Sequence, residues 1–144
     1  MAQDSVRLLG LDVGEKRIGV AVAYPDGIVV RPLVAINRSS VSDDIDKIVL
    51  LIGEYNVELV VVGLPISLSG KLSHQAKLVK EFTRCLTDAS PVRVKSHDER
   101  FSTVEANRLL IDAGQKPSRN KGLLDAASAA GILQSYLEST RFRS

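Results

Sequence analysis

Segments with the apolar spacing of strands alternate along the chain with segments that have the spacing of helices. Near the N-terminus the pattern predicts a buried strand over Val6–Val13, a turn at 14–17 and a second strand over Ile18–Tyr24. The sequence 25–27, Pro-Asp-Gly, is a turn signal, and a third strand is predicted over Ile28–Ile36. Because the connections are short, we expect these three strands to form an antiparallel meander.

The middle of the chain alternates helix and strand. Apolar residues recur at helical spacing from about Val41, and the nearly all-apolar segment Val57–Leu64 is typical of a central strand that is covered on both faces. A second helix is predicted around 76–86, and a fifth strand should end near Asp98 and Glu99. Because each of these strands follows a helix, we expect the later strands to be parallel. The order indicates an α/β fold with a mixed five-stranded sheet.

The last third of the chain is predicted to hold two more helices. The sequence 102–105, Ser-Thr-Val-Glu, is typical of a capping box that opens a helix through Ile111. The Gly- and Pro-containing segment Ala113–Gly122 is predicted to be a loop, and a final helix should run from about Leu123 to Glu138. The expected buried stripe of this final helix consists of Leu123, Ala127, Ala130 and Leu137.

Composition is that of a globular protein with a proper core. The 144 residues are 44% hydrophobic and 25% charged, so we expect residues 1–144 to form a single domain. No apolar run is long enough to span a membrane and the N-terminus lacks an apolar signal segment, so a cytoplasmic protein is expected. The single cysteine, Cys85, excludes an internal disulfide and a multi-cysteine zinc site. A net charge of +2 does not by itself indicate a nucleic-acid partner.

Three carboxylates stand at predicted ends of strands or helices. Asp12 lies inside an apolar strand, Glu99 follows the fifth strand, and Asp125 is in the first turn of the last helix. If the first strand is central, these three acids converge from distant parts of the chain. Carboxylate clusters without histidine or cysteine suit hard cations such as Mg²⁺ or Mn²⁺, and two such ions can promote phosphodiester hydrolysis.

Each acid also has an ordinary explanation. Asp12 is compatible with an internal ion pair or with a hydrogen bond to the turn at Gly14, since a buried charge is costly without compensation. Glu99 is compatible with a surface pair with Arg100, and Asp125 with a favourable charge at a helix N-terminus. The joint occurrence of the three acids favours the metal-binding interpretation.

Four ordered blocks of the sequence resemble the YqgF family, also called RuvX, of pre-16S ribosomal RNA nucleases. The blocks are LGLDVGEKRIGVAVA, VVVGLP followed by Gly70, HDERFSTVEA and KGLLDAASAAGILQSYLE. They span about Leu8 to Glu138. The resemblance implies a ribonuclease H-like fold and a metal-dependent nuclease that processes the 5′ end of the small-subunit ribosomal RNA precursor.

The resemblance also implies a set of site residues. Asp12, Glu99 and Asp125 would be the catalytic acids and the ligands of Mg²⁺ or Mn²⁺. Basic residues would bind the phosphate backbone of the substrate: Lys16, Arg17, Arg100, Lys116, Arg119 and Lys121. The partner would be a nucleic acid, with ribosomal RNA favoured over branched DNA, together with a ribosomal or transcription-machinery protein. The chain would act as a monomer or homodimer.

Three alternatives stay open. Junction resolvases of the RuvC type share the fold but carry a further acid three residues beyond the helix aspartate, where this chain has Ser128. A nucleotide-binding domain of the actin and sugar-kinase kind has a similar Asp-x-Gly turn, but it binds ATP between two lobes and this chain has length for one. A non-catalytic binding or ribosome-assembly factor would not need the acids.

Overall fold

The computed structural model describes residues 7–24, 29–65, 73–98 and 121–141. Within this part of the chain the strands are β1 (Arg7–Val13), β2 (Arg17–Tyr24), β3 (Val29–Asn37), β4 (Val57–Leu64) and β5 (Arg93–Asp98). The helices are α1 (Val41–Glu54), α2 (His74–Ala89) and α3 (Lys121–Arg141). No helix of the described ranges has the length and apolar character that a membrane crossing requires.

The five strands form one mixed sheet in the order β3-β2-β1-β4-β5. The β1–β2 and β2–β3 pairs are antiparallel, whereas β1–β4 and β4–β5 are parallel. This confirms the predicted meander followed by parallel strands. Strand β1 is central, and the carboxyl ends of β1, β4 and β5 lie at the same edge of the sheet.

Alternation along the strands gives the sheet two buried faces. On one face Leu9, Leu11 and Val13 pack with the apolar sides of α1 and α2, and Cys85 is partly buried against this core. On the other face Leu8 packs with α3. A larger group completes this second core: Ala21, Ala23, Val61, Ala129, Ile132 and Leu133. The sheet therefore separates two hydrophobic cores.

Serine side chains begin α1 and α2. The Ser40 hydroxyl accepts a hydrogen bond from the Asp43 N–H at 3.0 Å, and the Ser73 hydroxyl accepts one from the Ala76 N–H at 3.1 Å. Both bonds satisfy N–H groups that have no partner within the helix. Asn56, with φ of 53°, turns the chain from α1 into β4, in a conformation that asparagine tolerates better than most residues.

The predicted stripe of the last helix was right only in part. Ala130 and Leu137 are partly buried against the second core, but Leu123 is 57% exposed. The fully buried positions include Ala126, Ala129 and Leu133, which were not in the predicted stripe. Helix α3 is apolar on most of its circumference, so its hydrophobic pattern did not define one face, and small residues face the sheet because α3 packs closely on it.

Helix α3 is also longer than predicted. It begins at Lys121, inside the segment expected to be a loop, and continues to Arg141. The other sequence predictions for 99–120, including the capping box at 102–105 and the helix through Ile111, lie outside the described residues.

Candidate active site

Asp12 lies one residue before the carboxyl end of the central strand β1. It alternates with Leu8 and Gly10 on the face that α3 covers, and its antiparallel neighbour on β2 is Gly19. A glycine opposite Asp12 leaves no side chain beside the carboxylate on that strand. The acid therefore lies between the sheet and the covering helix.

The backbone of helix α3 comes into close contact with the sheet beside Asp12. A Cβ added to Gly19 would overlap the carbonyl group of Asp125, and one added to Gly10 would lie 2.9 Å from the carbonyl oxygen of Ala129. Isolated glycines inside strands are typical of such close backbone approach. The contact brings Asp125 near Asp12, as the sequence predicted, but Asp125 lies in the second turn of α3 rather than the first, because the helix begins at Lys121.

The two acids interact electrostatically. Burial raises the pKa of Asp12 from 3.8 to about 6, and the negative charge of Asp125 adds to the rise. Within the described ranges the Asp12 carboxylate makes no hydrogen bond or ion pair, and the Gly14 N–H donates instead to the Arg17 carbonyl at 2.9 Å. Neither ordinary explanation of Asp12 holds there, so the described part of the chain offers this carboxylate no group that compensates its electrostatic cost.

Asp125 is held by an ion pair. The Nε of Arg17 donates to Asp125 Oδ2 at 2.6 Å, and the two side chains are each 27% exposed. The pair ties the start of β2 to the second turn of α3. Asp125 is thus more than a favourable charge at a helix N-terminus, and Arg17, expected at the substrate, contacts a candidate catalytic acid.

A cavity of about 430 Å³ lies beside this ion pair. Arg17 and Asn37 contribute polar groups, and the rest of the described lining comes from β3 and the first turns of α3. The cavity reaches the ion pair through Arg17, whereas Asp12 and Asp125 are not part of its described lining.

The remaining predicted site residues are placed only in part. Lys16 is exposed in the turn between β1 and β2. Lys121 is the first residue of α3. Strand β5 ends at Asp98, directly before Glu99 in sequence. Four predicted residues lie outside the described ranges: Glu99, Arg100, Lys116 and Arg119.

The donor chemistry of the site fits a hard divalent cation. Asp12 and Asp125 offer carboxylate oxygens, and a cation would compensate the charge that Asp12 holds without a partner in the described ranges. Residues 7–24, 29–65, 73–98 and 121–141 contain no group of three or more His, Cys, Asp or Glu side chains that could hold a metal. The third predicted ligand, Glu99, is not among these residues.

Sequence reasoning missed two structural features of the site. Gly19 admits the helix backbone, and its signal was a glycine in the interior of an apolar strand. Arg38 binds the turn between β1 and β2 through the Gly14 carbonyl at 2.9 Å, and no local motif marks this contact between positions 24 residues apart.

The family model described as "RuvX: Holliday junction resolvase" matches residues 6–139. The chain belongs to the RuvX family. This RuvX-family chain is similar to a protein of Trichormus variabilis that is provisionally named a pre-16S rRNA nuclease, with 40% identity over 94% of this chain and 90% of that protein. Proteins of Clostridium novyi and Roseiflexus sp. with the same name are 39% and 38% identical over 93% and 98% of this chain, and 99% and 100% of their own lengths.

Solved structures show the same fold at low identity. RuvC of T. thermophilus in complex with a Holliday junction matches with a TM-score of 0.62 and 14% identity, over 95% of this chain and 96% of that one. The fowlpox virus Holliday junction resolvase matches with a TM-score of 0.56 and 17% identity, over 93% and 99%. The expected ribonuclease H-like fold is confirmed.

The family and its relatives identify the activity class. This RuvX-family chain is a nuclease, a hydrolase of phosphodiester bonds whose substrate is a nucleic acid. Nucleases of this fold generally use divalent metal ions.

Proposed function

We propose that residues 1–144 form a single metal-dependent nuclease domain that processes the 5′ end of pre-16S ribosomal RNA in the cytoplasm. The observation that carries the proposal is Asp12, a carboxylate that makes no hydrogen bond or ion pair in the described ranges, held at the end of the central strand beside Asp125. Such a group is costly in the ionised form unless a cation compensates it. The names of the relatives support the RNA substrate.

In this proposal Asp12, Glu99 and Asp125 are the catalytic acids and hold Mg²⁺ or Mn²⁺. When bound, the divalent ion lowers the pKa of water and stabilises negative charge on the leaving oxygen. Asp12 is central because β1 is the middle strand of the sheet. Arg17 donates to Oδ2 of Asp125, so Asp125 would hold a cation while it stays paired with Arg17.

Basic residues are proposed to hold the phosphate backbone of the RNA. Arg17 and the exposed Lys16 stand in the turn next to Asp12, and Arg17 also lines the 430 Å³ cavity. The remaining residues of this set are Arg100, Lys116, Arg119 and Lys121. Their positive charges would bind RNA largely through phosphates, so affinity should fall as salt rises. The chain is proposed to act as a monomer or homodimer, without a membrane, alongside a ribosomal or transcription-machinery partner.

A resolvase activity on branched DNA is the second candidate. The description of the family model and the match to RuvC favour it. Ser128 argues for RNA processing instead, because this residue lies one turn beyond Asp125 on α3 and offers a hydroxyl rather than a fourth carboxylate.

A cleavage assay tests the proposal. End-labelled pre-ribosomal RNA and a synthetic four-way DNA junction are incubated with wild type, Asp12→Asn and Asp125→Asn in Mg²⁺ or Mn²⁺. The matched control is Asp46→Asn, at an exposed position of α1 far along the chain from the site. We expect RNA cleavage by wild type and the control and its loss in both site variants.

The substrate that is cut separates the candidates. Cleavage of the junction alone would support the resolvase. No cleavage of either substrate by folded wild-type protein would contradict the proposal and favour a non-catalytic binding role. Cleavage that survives both substitutions would remove Asp12 and Asp125 from the mechanism.

A further inference from the structure

Arg38, the residue that follows β3, holds both ends of the turn between β1 and β2. Its Nη1 donates to the Gly14 carbonyl at 2.9 Å, and its backbone N–H donates to the Lys16 carbonyl at 2.9 Å. The Gly14 N–H closes the same turn by donating to the Arg17 carbonyl at 2.9 Å. The turn is therefore anchored to the chain beyond β3, and does not depend on its own hydrogen bond alone.

Besides the Gly14 carbonyl, two other groups hold the guanidinium of Arg38. Its Nε donates to Asp44 Oδ2 at 3.0 Å, and Asp44 is only 1% exposed. The other carboxylate oxygen of Asp44 accepts the Ser39 N–H at 3.0 Å. The guanidinium carbon of Arg38 also lies 5.1 Å from the centre of the Phe82 ring of α2. Groups from α1 and α2 thus hold Arg38 in one orientation.

The anchored turn connects two residues of the candidate active site. Asp12 lies two positions before Gly14, and Arg17, at the other end of the turn, binds Asp125. A displacement of the turn would move the end of β1 relative to Asp125 of α3. The hydrogen bonds and ion pairs of Arg38 in the described ranges join no candidate acid, so its influence on the acids acts through the turn.

Stability alone is a weak reason for this arrangement. A buried ion pair is often no more stabilising than apolar side chains of the same size, because both charges lose their water. What an apolar pair cannot do is bind the Gly14 carbonyl in a fixed direction, whereas the planar fork of arginine can bind two acceptors at once.

We propose that Arg38 and Asp44 act as a clamp of positioning residues, which holds the β1–β2 turn so that Asp12 and Arg17 keep their places relative to Asp125. The proposal rests on the proposed nuclease function of this site. Arg38 is assigned no contact with substrate or metal. Its contribution is the orientation of groups that do make these contacts, which for such supporting residues is commonly worth about 10- to 100-fold in activity or metal affinity.

The test uses Asp44→Asn and Arg38→Lys. The lysine keeps the charge but lacks the two separate nitrogens with which Arg38 binds Asp44 and Gly14 in fixed directions. The control is Arg84→Ala, because Arg84 is 65% exposed on α2 and pairs only with Glu81 and Asp88 among the described residues. For each protein we would measure kcat and KM on RNA, Mn²⁺ affinity by calorimetry, the melting temperature, and amide exchange at Gly14 and Arg38. Rates are expressed per folded molecule.

If Arg38 acts as a clamp, Arg38→Lys should lower kcat about tenfold or more with little change in KM and should weaken Mn²⁺ binding. It should also speed hydrogen exchange of the Gly14 and Arg38 amides, both of which donate to carbonyls of the turn. Arg84→Ala should match wild type in all three. A lower melting temperature with unchanged kcat and Mn²⁺ affinity would overturn the inference, because a merely structural pair gives that result.

The two proposals fail separately. If Asp44→Asn does not fold, the Arg38→Lys comparison decides. If wild type binds Mn²⁺ but cleaves no nucleic acid, the nuclease proposal fails and the clamp is judged by Mn²⁺ affinity and turn exchange. Unchanged values of both in Arg38→Lys would then refute the clamp, and weakened binding with faster exchange would support it.

Discussion

Replacing Asp12 with asparagine should stabilise the metal-free protein at neutral and alkaline pH. The pKa of Asp12 is raised from 3.8 to about 6, because burial and Asp125 disfavour the charged form in the folded state. The folded protein therefore binds this proton more tightly than the unfolded chain. A carboxylate of this kind lowers stability above the folded pKa, and an amide of the same shape removes the effect.

The magnitude follows from the same two pKa values. A rise from 3.8 to about 6 corresponds to about 3 kcal/mol at pH 8, which is an upper value for the gain in the free energy of unfolding. Below pH 6 the folded Asp12 takes up its proton, so the gain shrinks as the pH falls. Below about pH 3.8 both the folded and unfolded carboxyls are protonated, and the gain from charge disappears.

Urea unfolding in EDTA at a series of pH values between 8 and 4 measures this difference. Asp46→Asn is the control, because Asp46 is exposed on α1 and its replacement should change the free energy of unfolding by less than about 0.5 kcal/mol. The reasoning is refuted if Asp12→Asn destabilises the protein at pH 8, or if the difference from wild type does not depend on pH. Either result would mean that the carboxylate is satisfied in the metal-free protein.

Further predictions concern the metal, the helix contact, the clamp and the substrate. Mn²⁺ affinity, measured by calorimetry, should fall about tenfold for each pH unit below 6, because the ion competes with the proton on Asp12. Gly19→Ala should destabilise the protein by about 1 to 3 kcal/mol in urea unfolding, since the new methyl group overlaps the Asp125 carbonyl; an unchanged midpoint would show that α3 can move away freely. Asp44→Ala should cost about 1 to 3 kcal/mol in the same measurement, since it removes the acceptor of the Arg38 guanidinium and of the Ser39 N–H. RNA affinity should decrease linearly with the logarithm of salt concentration, and a flat dependence would contradict phosphate binding.

The order of elements was predictable from sequence because local signals agreed with each other. Short polar turns separate the first three strands, and the apolar run Val57–Leu64 stands between two amphipathic helices, so the mixed sheet followed. The sequence also predicted that Asp12 and Asp125 approach one another, although 113 positions separate them.

What the sequence could not give was the detail of the approach. The buried side of α3 was predicted only in part because apolar residues surround most of that helix, and the choice of face depends on close contacts of α3 with Gly10 and Gly19. The link from Arg38 to Gly14 and Asp44 joins the end of one strand to a turn and a helix, which no periodic pattern records. The position of Glu99 relative to the other acids stays a prediction.

The contact of α3 with the sheet at Gly10 and Gly19 separates the geometry of the acids from the size of the core. At Gly19 the spacing between helix and strand is set by the backbone of Asp125 and Ala126, which substitutions do not shorten, and at Gly10 by the Ala129 carbonyl together with the Leu133 side chain. The larger side chains of the other core, around Leu9 and Ile48, lie across the sheet from this contact. Substitutions in the core around Leu9 and Ile48 can therefore change the melting temperature or the urea midpoint while the distance between Asp12 and Asp125 is preserved. The thermal stability of such a protein can therefore change during evolution while the positions of its candidate catalytic acids stay the same.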